Sequence, residues 1–439
     1  MRNTVTASAI CLALLLASTV QAHEHEWTSF QNGGQPTVET SNLPVEWSPD
    51  SGITWQSQLA GYGQSSPLMW EDNIYVTSVS GDNKEKLHVQ AISAADGSEL
   101  WQFEAENSTP EENNNYVSRA APTPVCDANG LIVFFEGGNV FALTHTGDVR
   151  WKLDLVALHG DVKARHSLAS SLEQDEEHAF IWVERSTDPY VMAVRKSDGE
   201  TVWRVPGLGV TSWSSPRLVP VGDGHHLVLS GGGMIAGYDP ASGERLWEFD
   251  GVAGNSTPTP VPVGAGQFLI GASPGRSEGE SGNAARSNGV VQITGEDGNY
   301  AASWLWQAKR ATSSFGSPMV HQGRAYFVNR QGVVYCLDVE TGDEIFAGRT
   351  SGGSVWATPL GAGDFVYLFG KEGTTTVLES AADELVEYAT NQLWSGVPQA
   401  SEGEGGGQSA GPVLYAATPI DSGLLLRRGD TLYLVGGNE

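Results

Sequence analysis

Short apolar runs rich in Val, Ile, Leu, Tyr, Phe and Trp alternate with gaps rich in Gly, Asp, Asn and Ser along nearly the whole chain. No window sustains a helical period, so the pattern predicts strands joined by turns. The stretch from Ser66 to Phe103 shows the unit: runs over Ser66 to Trp70, Asn73 to Ser78, Leu87 to Ser93 and Ser98 to Phe103, that is, four strands.

The unit repeats. An apolar residue followed by Trp falls four residues after a turn glycine at Gly97/Trp101, Gly147/Trp151, Gly199/Trp203 and Gly243/Trp247, with Phe346 in the Trp place after Gly342. Looser copies sit at Trp55, Trp306 and Trp394, making eight. Between them falls a small residue plus proline that opens an apolar strand: Ser66-Pro67, Ala121-Pro122, Ser215-Pro216, Thr257-Pro258, Ser317-Pro318, Thr358-Pro359 and Thr418-Pro419, with Ser171-Leu172 in the remaining slot. Two markers with the same count and four strands per unit predict an all-β, eight-bladed propeller of four-stranded antiparallel blades. Glycine at each turn supplies a positive φ without steric cost, and the aromatic four residues on is placed to fill the wedge between sheets.

The ends predict how the ring closes. The last unit, from Thr418 to Gly437, has three strands, while the strand around Trp55 precedes the first complete unit. That N-terminal strand is expected to become the outer strand of the last blade. The propeller domain then spans 50–439, and residues 23–49 form a collar expected over the outside.

Composition adds a compartment. Arg2, the apolar run Ala9 to Ala17 and the small residues around Val20-Gln21-Ala22 read as a signal peptide, residues 1–22, cleaved after Ala22. The expected product is exported to the periplasm or beyond and soluble, with no membrane span. Removing one Arg and no acid leaves 23 basic against 52 acidic side chains. So negative a surface argues against nucleic acid and anionic membranes as partners. Cys126 and Cys336 lie in apolar strand runs and read as buried small side chains rather than a bridge. With no disulfide framework, the chain must hold itself together by its core.

The motif "Asp-Gly, two residues, apolar, Trp", joined to Ser-Pro before the next blade, resembles the repeat of pyrroloquinoline-quinone (PQQ) like propellers. The opening Trp47-Ser48-Pro49, Ile53-Thr54-Trp55 and Gly61 to Pro67 is similar to that of secreted bacterial PQQ-like repeat proteins. The repeat is shared by quinoprotein alcohol dehydrogenases and the outer-membrane assembly factor BamB, so the resemblance implies a fold more narrowly than a function. A dehydrogenase of that kind holds PQQ and calcium above the axis, many beneath a disulfide between adjacent cysteines. This sequence has no adjacent cysteines and no haem attachment motif.

The reading is therefore a non-catalytic binding or scaffold propeller engaging protein or polysaccharide, with a PQQ-dependent dehydrogenase of divergent site as the alternative. Candidate contacts come from the architecture. The residues three before each proline slot are expected to ring the axial opening: Gln64, Arg119, Ala169, Trp213, Asn255, Phe315, Trp356 and Ala416. Gln64, Arg119, Trp213, Asn255, Phe315 and Trp356 offer aromatic and polar groups for a planar or sugar-like ligand. Long links at 107–119, 271–289 and 396–411 are expected on the same face. His23 and His25, at the mature N-terminus, are candidate ligands for Cu²⁺ or Ni²⁺.

Overall fold

The computed structural model describes residues 26–39, 42–112, 118–273, 283–296, 298–395 and 413–436. His23, His25, residues 1–22 read as a signal peptide, and the expected long link at 396–411 lie outside them. Eight four-stranded antiparallel blades are present, and in blades 1 to 7 the four strands run in chain order from inner to outer. In blade 1 these are Leu68–Trp70, Asn73–Ser80, Lys86–Ser93 and Glu99–Glu106. Blades 2 to 7 begin at Val125, Glu173, Arg217, Val261, Met319 and Leu360. Blade 8 takes three strands from the C-terminus, Leu414–Ile420, Gly423–Arg428 and Thr431–Gly436, and its outer strand, Ile53–Gln58, from the N-terminus. Closure by the N-terminal strand is thus as the sequence predicts.

The aromatic marker is a latch between blades. Each outer strand carries a register shift next to the marker position, so the ladder bends there. Trp101 of blade 1 then lies against Gly147 of blade 2 and donates its Nε1–H to the His145 carbonyl at 2.8 Å. Trp151, Trp203 and Trp306 repeat this against Gly199, Gly243 and Gly342, donating to Lys196, Pro240 and Val339. Trp55 does the same across the closure, against Gly97 and the Ala94 carbonyl. The turn glycine does two jobs: Gly97 has φ +72°, and a Cβ there would meet the Trp55 ring at 2.6 Å.

Phe346 has no N–H to donate, and two of the tryptophan copies depart from the rule. Trp247 donates within its own blade, to His226 Nδ1, and stacks on Phe268 of blade 5. Trp394 is not on an outer strand at all: that strand of blade 7 ends at Gln392, and Trp394 packs on Gly373 of the same blade. Ala389, paired with Val377, occupies the latch position. Trp47 from the N-terminal segment is buried in the same cluster, its backbone N–H bonded to Asn391 Oδ1 at 2.9 Å.

The proline marker proves to be a girdle around the axis. Thr123 Oγ1 accepts from the Ser66 N–H, Ser171 Oγ from Thr123, Ser215 Oγ from Ser171, Thr259 Oγ1 from Ser215, Ser317 Oγ from Thr259 and Thr358 Oγ1 from Ser317, all at 2.9–3.1 Å. From blade 2 to blade 7, each blade hands a hydroxyl to the backbone of the one before it. Thr418 adds a bond to the Pro67 carbonyl across the closure. Replacing Ser171 by Ala strips the buried Thr123 N–H of its acceptor, at an expected cost of about 1–3 kcal/mol. A urea midpoint lowered at constant m-value would report it.

The N-terminal segment is not a collar over the outside along its first part. Trp27 bridges Met69 on the free edge of the inner strand of blade 1, and Thr28 accepts the Cys126 N–H of blade 2. Arg217 of blade 4 donates to the Phe30 carbonyl, and Thr37–Val38 pairs in parallel with Gly361 and Ala362 of blade 7. Residues 26–38 therefore line the axial channel, where the inner edges of the blades offer unpaired backbone groups. They turn through Gln31, Asn32, Gly33 and Gly34, all with positive φ, and a Cβ on Gly34 would meet Pro262 Cδ at 2.6 Å. Leu43 to Trp47, by contrast, do lie along blade 7: Tyr367 Oη donates to the Leu43 carbonyl and Asn391 Nδ2 to that of Val45.

Cys126 and Cys336 are buried free thiols. Among the described residues, no helix is long and apolar enough to cross a membrane.

Candidate functional site

The girdle fixes which residues face the axial mouth. Gln64, Ala169, Trp213, Phe315, Trp356 and Ala416 all stand two residues before a girdle hydroxyl. In blades 2 and 5 the hydroxyl follows the proline, at Thr123 and Thr259, so Arg119 and Asn255 stand four before it. Counting from proline misplaces them by two residues. Asn255 is consequently fully buried: its Oδ1 accepts the Gly233 N–H and its Nδ2 donates to Ser230 Oγ and the Met234 carbonyl. It caps a turn of blade 4.

The other five fall into three groups. Gln64 Oε1 accepts the Arg119 N–H at 2.9 Å, joining blades 1 and 2, while the Arg119 guanidinium lies 3.6 Å above the Tyr62 ring. Tyr62 Oη in turn bonds Tyr415 Oη at 2.7 Å. Across the mouth, Phe315 and Trp356 pack with centroids 4.8 Å apart, and Lys371 Nζ sits 5.2 Å from the Trp356 ring. Trp213 stands beside His166 and donates Nε1–H to the Arg165 carbonyl at 3.2 Å.

Phe315 and Trp356, with Ser66, Tyr415 and Ala416, wall an axial pocket whose floor is Trp27, Phe30, Gln31 and Pro36 of the N-terminal segment. Tyr415 is one residue before the ring position of blade 8 and Tyr62 lies within the Gly61–Gln64 stretch, so ring counting passes next to both. Trp27 carries no such mark, because nothing in the sequence places the segment inside the ring.

Behind the Tyr62–Tyr415 pair lies Arg427, fully buried. It donates to the carbonyls of Ser65, Thr77 and Gly429 and to Ser65 Oγ. Burial among carbonyls without a carboxylate among these partners pushes its guanidinium down to about 9. It holds blade 8 to blade 1.

A second cavity, of about 390 Å³, opens on the same face between blades 1 and 2. Buried Lys84 donates there to the Ser118 carbonyl at 3.0 Å and reaches Glu136 at 3.3 Å and Glu111 at 3.4 Å. Desolvation pushes the Glu136 carboxyl up, and Lys84 opposes it. Glu184 in blade 3 is also pushed up by burial, yet it accepts Trp182 Nε1–H and the N–H groups of Leu208, Gly209 and Val210. These acids are bound to their own loops. The stems of two long links join this face: Asn107 Nδ2 donates to the Lys84 carbonyl, and Asn288 Oδ1 accepts from Ala272 and Ser313.

The walls and floor of the axial pocket include no carboxylate, and Glu173, on the inner strand of blade 3, is held by Arg217. Among the described residues no three His, Cys, Asp or Glu side chains converge as a metal site.

A family model described as the outer membrane protein assembly factor BamB matches residues 19–181, 187–301 and 287–436. The chain belongs to this BamB family. BamB from Moraxella catarrhalis superposes with a TM-score of 0.55 at 14% identity, covering 86% of this chain and 98% of that one. The quinohemoprotein alcohol dehydrogenase from Comamonas testosteroni gives 0.58 at 12% identity, covering 94% and 81%. The computationally designed Ika8 protein gives 0.57 at 11%, covering 87% and 99%. At such identities the likeness is one of fold alone. No curated protein matches the sequence. The BamB family thus shares its propeller with redox enzymes, and only the site separates the two roles.

Proposed function

We propose that this BamB-family chain is an exported, non-catalytic binding propeller that engages a protein or polysaccharide partner through the face carrying the axial mouth and the long links. The observation that carries the reading is the set of rim aromatics held by the girdle: Phe315 is 41% exposed with Trp356 half-buried against it, and Trp213 is half-buried beside His166. Large, rigid, partly exposed aromatics on one face anchor partners at little entropic cost. The family description, an assembly factor, favours a protein as that partner. The positions of the acids support the absence of a catalytic centre, since Glu136, Glu173 and Glu184 are each committed to a cation or to backbone N–H groups.

A photo-crosslinking residue at Phe315 or Trp213, introduced in the full chain in its native host, is expected to capture a partner. The same residue at Asp223, in a turn on the opposite face, is not. The mass and protease sensitivity of the adduct separate protein from polysaccharide. Capture from Asp223 alone would overturn the reading, as would stoichiometric PQQ binding with dye reduction after addition of PQQ and calcium.

A further inference from the structure

The cavity between blades 1 and 2 lies away from the axial pocket and shares no lining residue with it. Its volume, about 390 Å³, is within the range of roughly 300–1,000 Å³ that holds small ligands. Most of its polar groups already serve the protein. The buried Lys84 ammonium has three donors and three acceptors around it: the Ser118 carbonyl, Glu136 and Glu111. Glu136 also takes the Ala120 N–H, and Thr109 Oγ1 donates to the Gly137 carbonyl. The cation best placed to hold an anion is therefore used up.

Glu111 is different. Its bonds to Lys84 and to Ser167 Oγ both fall on Oε2, and Oε1 has no partner among the described residues. The side chain is 48% exposed. Over the described lining, Lys84 and Lys163 face three carboxylates, those of Glu111, Glu136 and Asp161. Lys163 is 86% exposed and lies 3.3 Å from Asp161. Just outside, Asp154 caps the short helix Leu155–His159, and Arg185 is bound to the carbonyls of His159, Gly160 and Asp161. The remaining wall is aliphatic, made by Pro110, Val156, Val162 and Ala164. No aromatic ring stands among the described lining residues, so the cavity lacks the platform on which a sugar or planar ring stacks. An aliphatic wall with a free carboxylate oxygen suits a cation on an aliphatic stem, which lays its methylenes on apolar surface and turns its head to the charge. The frame is preset: Lys84 and Ser167 hold left-handed φ values of +56° and +61°, which persist only where the surroundings fix them.

We propose that this cavity binds a primary amine or guanidinium carried on an aliphatic stem, the chemistry of a lysine or arginine side chain and of a free alkylamine. The stem lies on Val156, Val162 and Ala164, and the head donates to Glu111 Oε1. Lys84 holds Glu111 in place and is not itself a ligand group. The formal charge of −28 concentrates such cations near the surface. A basic side chain seated here would be one anchor of the partner proposed above. Titration with small probes reads the cavity alone, so its failure and a failed crosslink at Phe315 or Trp213 are distinguishable.

The test is calorimetric titration of the protein with Nα-acetyl-lysine methylamide, Nα-acetyl-arginine methylamide and pentylamine, with Nα-acetyl-norleucine methylamide as the neutral analogue. Saturable binding of the cations, at least tenfold tighter than that of the norleucine compound and weakened at least tenfold in Glu111→Gln, supports the site. Glu111→Gln keeps the shape and an acceptor for Ser167 and removes the charge. Ala164→Trp, which fills the cavity from its wall and leaves the ion pairs intact, is expected to abolish binding; melting curves check that both variants fold. Equal affinity for pentylamine and the lysine compound assigns the site to free amines, and preference for the latter assigns it to a side chain of a protein. No saturable binding of any cation, norleucine binding within tenfold of lysine, or a loss below tenfold in both variants would overturn the proposal.

Discussion

Deleting residues 47–60 is expected to abolish the cooperative unfolding transition of the protein, leaving a species with strand content but no fixed aromatic environment. The segment supplies the whole outer strand of blade 8, paired from Ile53 opposite Val435 to Gln58 opposite Thr431. It also supplies Trp55, 9% exposed, which latches blade 8 to blade 1 through the Ala94 carbonyl. Trp47 goes with it, and blade 7 has only Ala389 at its latch position. Two neighbouring wedges are thus emptied by one cut. A ring differs from a stack of repeats in this respect: opening one interface exposes two blade faces at once. The point variant Trp55→Ala is the graded form of the test, with an expected loss of about 3–5 kcal/mol. Calorimetry and near-ultraviolet circular dichroism would report both. A sharp, native-like transition in the deletion would mean that the seven complete blades hold together without the closing strand.

The two markers that make the repeat visible in the sequence are the two devices that hold the blades together, which is why the blade count and the closure were readable. Trp and turn glycine recur because one packs on the other across five of the wedges. Ser or Thr recurs near proline because its hydroxyl serves the preceding blade. Where a device was replaced, reading by residue type failed. Trp394 looks like a latch, but the strand register puts Ala389 there and leaves the wedge to Trp47, a residue far away in sequence. The candidate site was legible to the same degree. Phe315 and Trp356 share the girdle register and do meet, whereas Arg119 and Asn255 were counted from a proline that stands on the other side of its hydroxyl. The path of residues 26–38 was not legible at all. Its contacts are mostly backbone pairings with inner-strand edges, which place little demand on side-chain type.

A buried side-chain anchor of that path carries the second large effect. Arg217, 1% exposed, donates from Nη1 to Glu173 Oε2 at 3.0 Å and from Nη2 to the Phe30 carbonyl at 3.1 Å. Replacing it by Met preserves much of the apolar volume but leaves Glu173 as an unpaired buried acid. The expected cost is about 3–5 kcal/mol at neutral pH, most of it the stranded carboxylate and not the lost attraction. The pH dependence separates the two. Burial raises the Glu173 carboxyl, and Arg217 opposes this shift. Without the arginine, the folded protein binds a proton more tightly than the unfolded chain does. Stability contributed by that proton is present below the unfolded carboxyl range and is lost as pH rises toward the folded value. Arg217→Met is therefore expected to regain stability relative to the parent as pH falls from 7 toward 5, and Arg217→Met with Glu173→Gln to recover part of the loss at pH 7 with a flatter profile. Urea midpoints of the three proteins across that range decide it. A deficit independent of pH in the single variant would place the cost in the N-terminal segment, through the vacated Phe30 carbonyl and Gln31, instead of in Glu173.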